Sequence, residues 1–198
     1  MTRSRFVSPR FWVIVGAVLL AALTRLIPHP PNFTPITALA LFGAATLTDR
    51  RLALLIPLVA LFISDLGIEA LHRMGLMASW GIYSGMWVTY SAFLLVTLMG
   101  LLLRHRRNAV AIAGTTLAGS TVFFAVTNFG VWSSGHLYPR TLEGLLACYT
   151  AAIPFFQNSL LGDAFYATVL FGGFALAEKL SPALRQLPSV ATPERATA

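Results

Sequence analysis

Charge is what this chain has little of. Only 11% of its 198 residues are Asp, Glu, Lys or Arg, against about 25% in an average soluble domain. The hydrophobic share is 57% and the mean hydropathy is +0.74, which excludes an ordinary water-soluble domain and points to an integral membrane protein. Cysteine is scarcer still: Cys148 stands alone, so an internal disulfide and any multi-cysteine metal or iron–sulfur site are excluded. Several signatures are also missing. No Gly-x-x-x-x-Gly-Lys loop is present, so any use of ATP belongs to other chains, and neither a Gly-x-Ser-x-Gly elbow nor a His-Glu-x-x-His helix marks a hydrolase. No nucleic-acid partner is expected either. The formal net charge of +7 comes from short basic flanks between apolar runs, and these read as topology signals.

What is present is a series of apolar runs: Phe11–Leu26, Ile36–Thr48, Leu52–Leu71, Trp80–Leu103, Ala109–Val131 and Phe155–Ala177, the last preceded by a helical piece, Thr141–Ala152, and Pro154. They predict an all-α, polytopic bundle of about six transmembrane helices over residues 11–179, between a basic N-terminus, 1–10, and a disordered polar tail, 180–198. Phe11–Leu26 is long and has no clean small-residue cleavage site, so it stays as a helix and is not removed as a signal peptide. Ile36–Thr48, at 13 residues, is well short of the roughly 20 needed to span. Eleven of the 14 Lys and Arg fall at the N-terminus, the 49–51 turn, the 104–108 turn and the tail, leaving Arg25, Arg73 and Arg140 opposite. The positive-inside rule then puts both termini in the cytoplasm.

Between the first two runs lies Pro28-His29-Pro30-Pro31-Asn32-Phe33-Thr34-Pro35, with four prolines in eight positions. Proline removes backbone donors and disfavours helix in the residue before it, so this is a shaped connection, and the topology puts it outside. At about 1.5 Å of rise per residue, Asp65, Glu69, Asn128, Asn158 and Asp163 each lie roughly 20–31 Å from the inner end of their spans. The spans therefore enclose an outward-facing polar cup with an apolar floor.

Asp65, Glu69 and His72 share a helix face. Intramembrane acids are costly, and the pair would be relieved by a salt bridge with Arg25 or Arg73, by a ligand, or by a metal shared with His29 or His136. The histidines lack the tight spacing of a metal site, so no metal and no cofactor is assigned. Trp80, Tyr83, Trp87 and Tyr90 recur at helical steps as an aromatic stripe suited to stacking or to packing. Gly81-x-x-x-Gly85 and Ala17-x-x-x-Ala21 are small-residue pairs that let helices approach.

The stretch Pro28–Ile36 with Ala38-Leu39-Ala40-Leu41-Phe42-Gly43, Tyr149–Asn158, Leu161-Gly162-Asp163 and Leu170-Phe171-Gly172 resembles a family of uncharacterised small bacterial membrane proteins. That family is in turn similar to the substrate-binding S components of energy-coupling factor (ECF) transporters. The resemblance covers most of residues 10–180. It implies a six-helix component of the bacterial inner membrane that binds a small solute near its outer face, and docks on a transmembrane coupling subunit driven by ATPase chains. It further implies docking through Ala17 and Ala21 and a gate formed by the 28–35 connection. Cobalt and nickel members carry a histidine near the N-terminus that is absent before His29, which counts against a metal substrate. The expected substrate contacts are Asp65, Glu69, Asn128, Asn158 and Asp163 by hydrogen bonds, Tyr83, Trp87 and Trp132 by packing, and Asn32 and Phe33 as cover. The solute would be small and polar, and cationic or planar in character. Two other classes stay open: a structural or assembly membrane protein without ligand, whose acids pair with arginines, and an intramembrane hydrolase built on Asp65, Glu69 and His72.

Overall fold

A computed structural model describes residues 8–185, all of whose regular structure is helical. The seven α-helices are α1 (Pro9–Leu23), α2 (Ile36–Thr46), α3 (Arg50–Arg73), α4 (Met86–Gly100), α5 (Ala109–Ser134), α6 (Leu142–Ala167) and α7 (Gly173–Leu180). A π turn, Thr168–Gly172, joins α6 to α7 in one run. Five of the six resulting runs, all but α2, are long and apolar enough to cross a membrane.

The exception is the centre of the fold. α2 has 11 residues, and every one from Thr37 to Thr46 is buried. A helix apolar on all sides has no solvent face to offer and ends up enclosed, and α2 packs against α1, α3, α4, α5 and α6 together. At about 16 Å long it reaches half of what α3 covers, so its ends lie inside the bundle and their backbone groups need partners. Charged side chains from other helices supply them. At the N-terminal end the Asp163 carboxylate accepts from the Thr37 and Ala38 amides at 3.1 and 3.3 Å. At the other end the Arg104 guanidinium donates to the carbonyls of Ala44, Leu47 and Thr48 at 3.0, 2.6 and 3.3 Å. An anion at the N-terminus and a cation at the C-terminus both oppose the helix dipole.

The connection before α2 is fastened to α6. Asn32 adopts a left-handed backbone, φ 61°, and turns the chain. Asn158 then donates to the Pro31 carbonyl at 2.9 Å, and Phe33 packs on Phe165 and Tyr166. The backbone at Phe33 and Thr34 lies so close to Gly162 that a Cβ there would come within 3.0 Å of the Thr34 nitrogen.

Several boundaries differ from those expected. α4 begins at Met86, not Trp80, because residues 80–85 cross the C-terminal part of α3 instead of continuing a helix. Gly81 lies on the α3 backbone, where a Cβ would sit 1.9 Å from the Asp65 carbonyl oxygen, and the Ile82 amide donates to Glu69. The aromatic stripe and the Gly81/Gly85 pair therefore do not lie on one helix. α5 continues to Ser134, so Trp132 is helical, and Pro154 sits inside one unbroken α6 capped by Thr141. Proline deletes one helical bond, a loss that helices in a bundle tolerate. The tail starts ordered: Leu184 is buried and its carbonyl accepts from Arg10, which also pairs with Glu178 and closes α1 against α7. The basic N-terminus up to residue 7, and the tail beyond residue 185 for which disorder is expected, lie outside the described residues.

Candidate functional site

The expected binding residues fall into two groups on different parts of the bundle. The first is at the C-terminal end of α3. Asp65, 4% exposed, accepts from Arg25 at 2.7 Å through one carboxylate oxygen and from the Tyr90 hydroxyl at 2.7 Å through the other. Arg25 also donates to Ser64, whose own hydroxyl donates to the Leu61 carbonyl. Glu69 is bound by Arg73 at 2.7 Å and by the Ile82 amide at 3.1 Å. Both acids are thus held in ion pairs, Asp65 in an enclosed one and Glu69 in one whose arginine is exposed, and neither lines the cavity between α5 and α6. His72 stacks on Trp80 and shares a hydrogen bond with the Met77 carbonyl, so it takes no part in either pair. Tyr83 bonds to Thr89, and Trp87 is 71% exposed on the outer surface. Neither ring walls a cavity with Asp65 and Glu69.

The second group surrounds a cavity of about 260 Å³ between α5 and α6, beneath the 28–35 connection. Asn32, Asn128 and Asp163 line it, with Thr34, Thr127 and Ser159 adding polar groups and Phe123, Phe124, Phe155 and Phe156 adding rings. α5 and α6 form a hairpin in which Phe124 meets Tyr149 and Phe156. The cavity floor is the N-terminal end of α2, at Ile36 and Thr37, with the Asp163 carboxylate against it. Ser120 donates to the second carboxylate oxygen at 2.7 Å. Among the described residues Asp163 is the one carboxylate of the three buried acids with no cationic partner. Its charge is balanced by two amides and a hydroxyl instead.

Three expected contacts have structural positions near this cavity without lining it. Asn158 and Phe33 hold the connection to α6 as described, and the Trp132 indole donates to the carbonyls of Pro139 and Thr141, tying the α5–α6 turn together. Ser120 and Thr37 escaped the sequence reading because Ser and Thr are common in apolar helices. The available signal was the Thr116/Ser120 spacing of one turn on α5, which puts two hydroxyl-bearing residues on one helix face. Ala21 is buried in the core and Ala17 packs against it, so this small-residue face serves α1's own contacts inside the bundle. No three His, Cys, Asp or Glu among the described residues gather as metal ligands would.

A mixed wall of amides, hydroxyls and rings over a buried carboxylate can hydrogen-bond and stack a solute. The volume falls just under the roughly 300–1,000 Å³ of ordinary ligand pockets, which favours a compact one. In comparisons with known proteins, no curated protein and no solved structure matches the chain. A family of unknown function, DUF6580, matches residues 6–184. The chain belongs to that family.

Proposed function

We propose that the protein is a multi-pass membrane protein that captures a small polar solute from the outer face, in the cavity between α5 and α6. The observation that carries this reading is the cavity itself: a polar and aromatic pocket beneath a fastened proline-rich connection, set on the open side of a half-length helix. Asn32 and Asn128 are the solute's hydrogen-bond partners, Phe124 and Phe156 its packing surface, and Asp163 the group that fixes the floor. Asp65, Glu69, Tyr83 and Trp87 leave the binding role and serve the frame. Both termini are cytoplasmic, as the basic flanks imply, and the membrane is a bacterial inner membrane, as the family resemblance implies. Operation as the substrate-binding component of an ECF-type transporter, with a coupling subunit and ATPases on other chains, rests on the resemblance of the connection and the α6 motifs. Docking would then use a surface other than Ala17 and Ala21.

Thermal-shift screening of the purified chain with vitamins, nucleobase-like compounds and divalent cations tests the reading. A stabilising compound whose effect is lost in Asn128→Ala and in the cavity-filling Ala152→Leu supports it. A hit that survives both substitutions overturns it. The ion-paired state of Asp65 and Glu69 favours a second reading, a structural membrane protein without ligand, and this gains the field if no compound in the panel stabilises the wild type. Copurification of a coupling subunit with the tagged chain separates a transporter component from a self-standing binder.

A further inference from the structure

A second and larger cavity, about 890 Å³, lies on the opposite side of the Ser120–Asp163 contact from the first, with Ser120 bordering both. It is a groove between the first half of α5 and the run formed by the end of α6, the π turn and α7. α5 buries little in this half: only Thr116, Gly119 and Ser120 of the whole helix are enclosed, and Val110 is 83% exposed. The walls are apolar, with Ile112, Leu117, Leu160, Phe171 and Phe174 along their length. From Ala109 to Ser120 the groove follows α5 for about 16 Å, close to one leaflet of a hydrocarbon core of about 30 Å.

Its polar end is at the basic turn. Arg107 and Glu178 both border the groove there. The Glu178 carboxylate is engaged by Arg10, and among the described residues no carboxylate lies within 4 Å of Arg107. Burial pushes the Arg107 guanidinium below its ordinary pKa, with Glu178 partly opposing that shift and Arg10 adding to it. A half-buried cation at the rim of an apolar groove, with no carboxylate at ion-pairing distance among the described residues and with the Glu178 carboxylate beside it already engaged by Arg10, has room for a further anion. The exposed His105 and Arg106 beside it add to the basic character of the rim.

We propose that this groove is a binding site for an anionic phospholipid of the leaflet on the basic side, with one acyl chain lying along α5 and the phosphodiester held by Arg107. The match is in both parts of the ligand. The groove has the length of one leaflet, and arginine offers paired donors to phosphate oxygens. Basic pockets between helices on the cytoplasmic side suit anionic headgroups.

The test is native mass spectrometry of the full chain in detergent, mixed with equal amounts of phosphatidylglycerol and phosphatidylcholine carrying identical acyl chains. Both lipids carry the phosphodiester, but the choline ammonium of the second cancels its charge at the basic rim, so the wild type retains phosphatidylglycerol about fivefold over phosphatidylcholine, as one rim arginine acting on a net anion allows, and high salt narrows the ratio. Arg107→Gln brings the two lipids to near parity, and Ala113→Phe, which fills the groove, loses both. Equal retention by the wild type, or an undiminished preference in Arg107→Gln, overturns the proposal and leaves the groove to bulk lipid or a partner helix. Displacement of the lipid by inorganic phosphate also overturns it, since the acyl chain then contributes nothing. Should Arg107→Gln fail to fold, Arg107→Lys, which keeps the charge without the paired donors, lowers the retention of phosphatidylglycerol while leaving its preference over phosphatidylcholine; unchanged retention there rejects the role given to the Arg107 guanidinium.

Discussion

Asp163→Ala tests the idea that α2 is held from outside itself. The substitution removes the acceptor for the Thr37 and Ala38 amides and for the Ser120 hydroxyl. Ser120 keeps a partner, because its hydroxyl also reaches the Thr116 carbonyl at 3.0 Å. The two amides do not: Thr37 and Ala38 are buried in the bundle, and each unsatisfied buried donor costs about 1–3 kcal/mol. Together with the lost anion at the helix N-terminus the expected cost is about 4 kcal/mol. At about 2–4 °C per kcal/mol for a chain of this size, the melting temperature falls by about 8–16 °C. Asp163→Asn keeps one oxygen toward the amides and loses chiefly the charge, about 1 kcal/mol and about 2–4 °C. The assay is thermal unfolding of wild type and both variants in one detergent, followed by far-ultraviolet circular dichroism. Equal shifts for the two variants, or a loss under about 2 °C for Asp163→Ala, refute the capping role.

Three further substitutions probe the frame. Arg25→Leu leaves the Asp65 carboxylate buried without its cation and should cost about 3–5 kcal/mol, whereas the double variant Arg25→Leu, Asp65→Leu recovers most of it; a double variant no more stable than the single would show that the pair is not the unit. Gly81→Ala drives a Cβ against the α3 backbone at Asp65 and Glu69, where no side chain can turn aside. A loss of at least about 3 kcal/mol is expected, read as a lower melting temperature or a collapsed yield of monodisperse protein. Trp87→Ala should change stability by less than about 0.5 kcal/mol, because the ring lies on the outer surface and such positions seldom contribute more; a larger loss in the same melt would mean that the indole packs against the protein.

The extent to which this fold can be read from sequence depends on whether a polar group signals by its presence or by its partner. Apolar runs and basic flanks are signals of presence, and they gave the helical order and five long helices. The short second run was also visible, as a stretch of 13 apolar residues, but its burial inside five neighbours was not. That follows from contacts distant in sequence: Asp163 lies 126 positions from Thr37 and Arg104 lies 60 from Ala44. The acids show the same limit. Depth along a helix placed Asp65, Glu69 and Asp163 alike in the outer part of the bundle, and depth alone treats them as equivalent. Their partners separate them. An arginine reaches Asp65 from the turn after α1 and another reaches Glu69 from one helical turn away, while Asp163 meets only dipoles. An acid paired with arginine has its charge answered within the frame, and a ligand that drew on it would have to break the pair. An acid held by amides and a hydroxyl beside a cavity is stabilised without a counter-charge and stays within reach of a solute. For this reason the candidate site moves to α5 and α6, and the 28–35 connection, fastened by Asn158 and Gly162, is both the brace of α2 and the wall of that site.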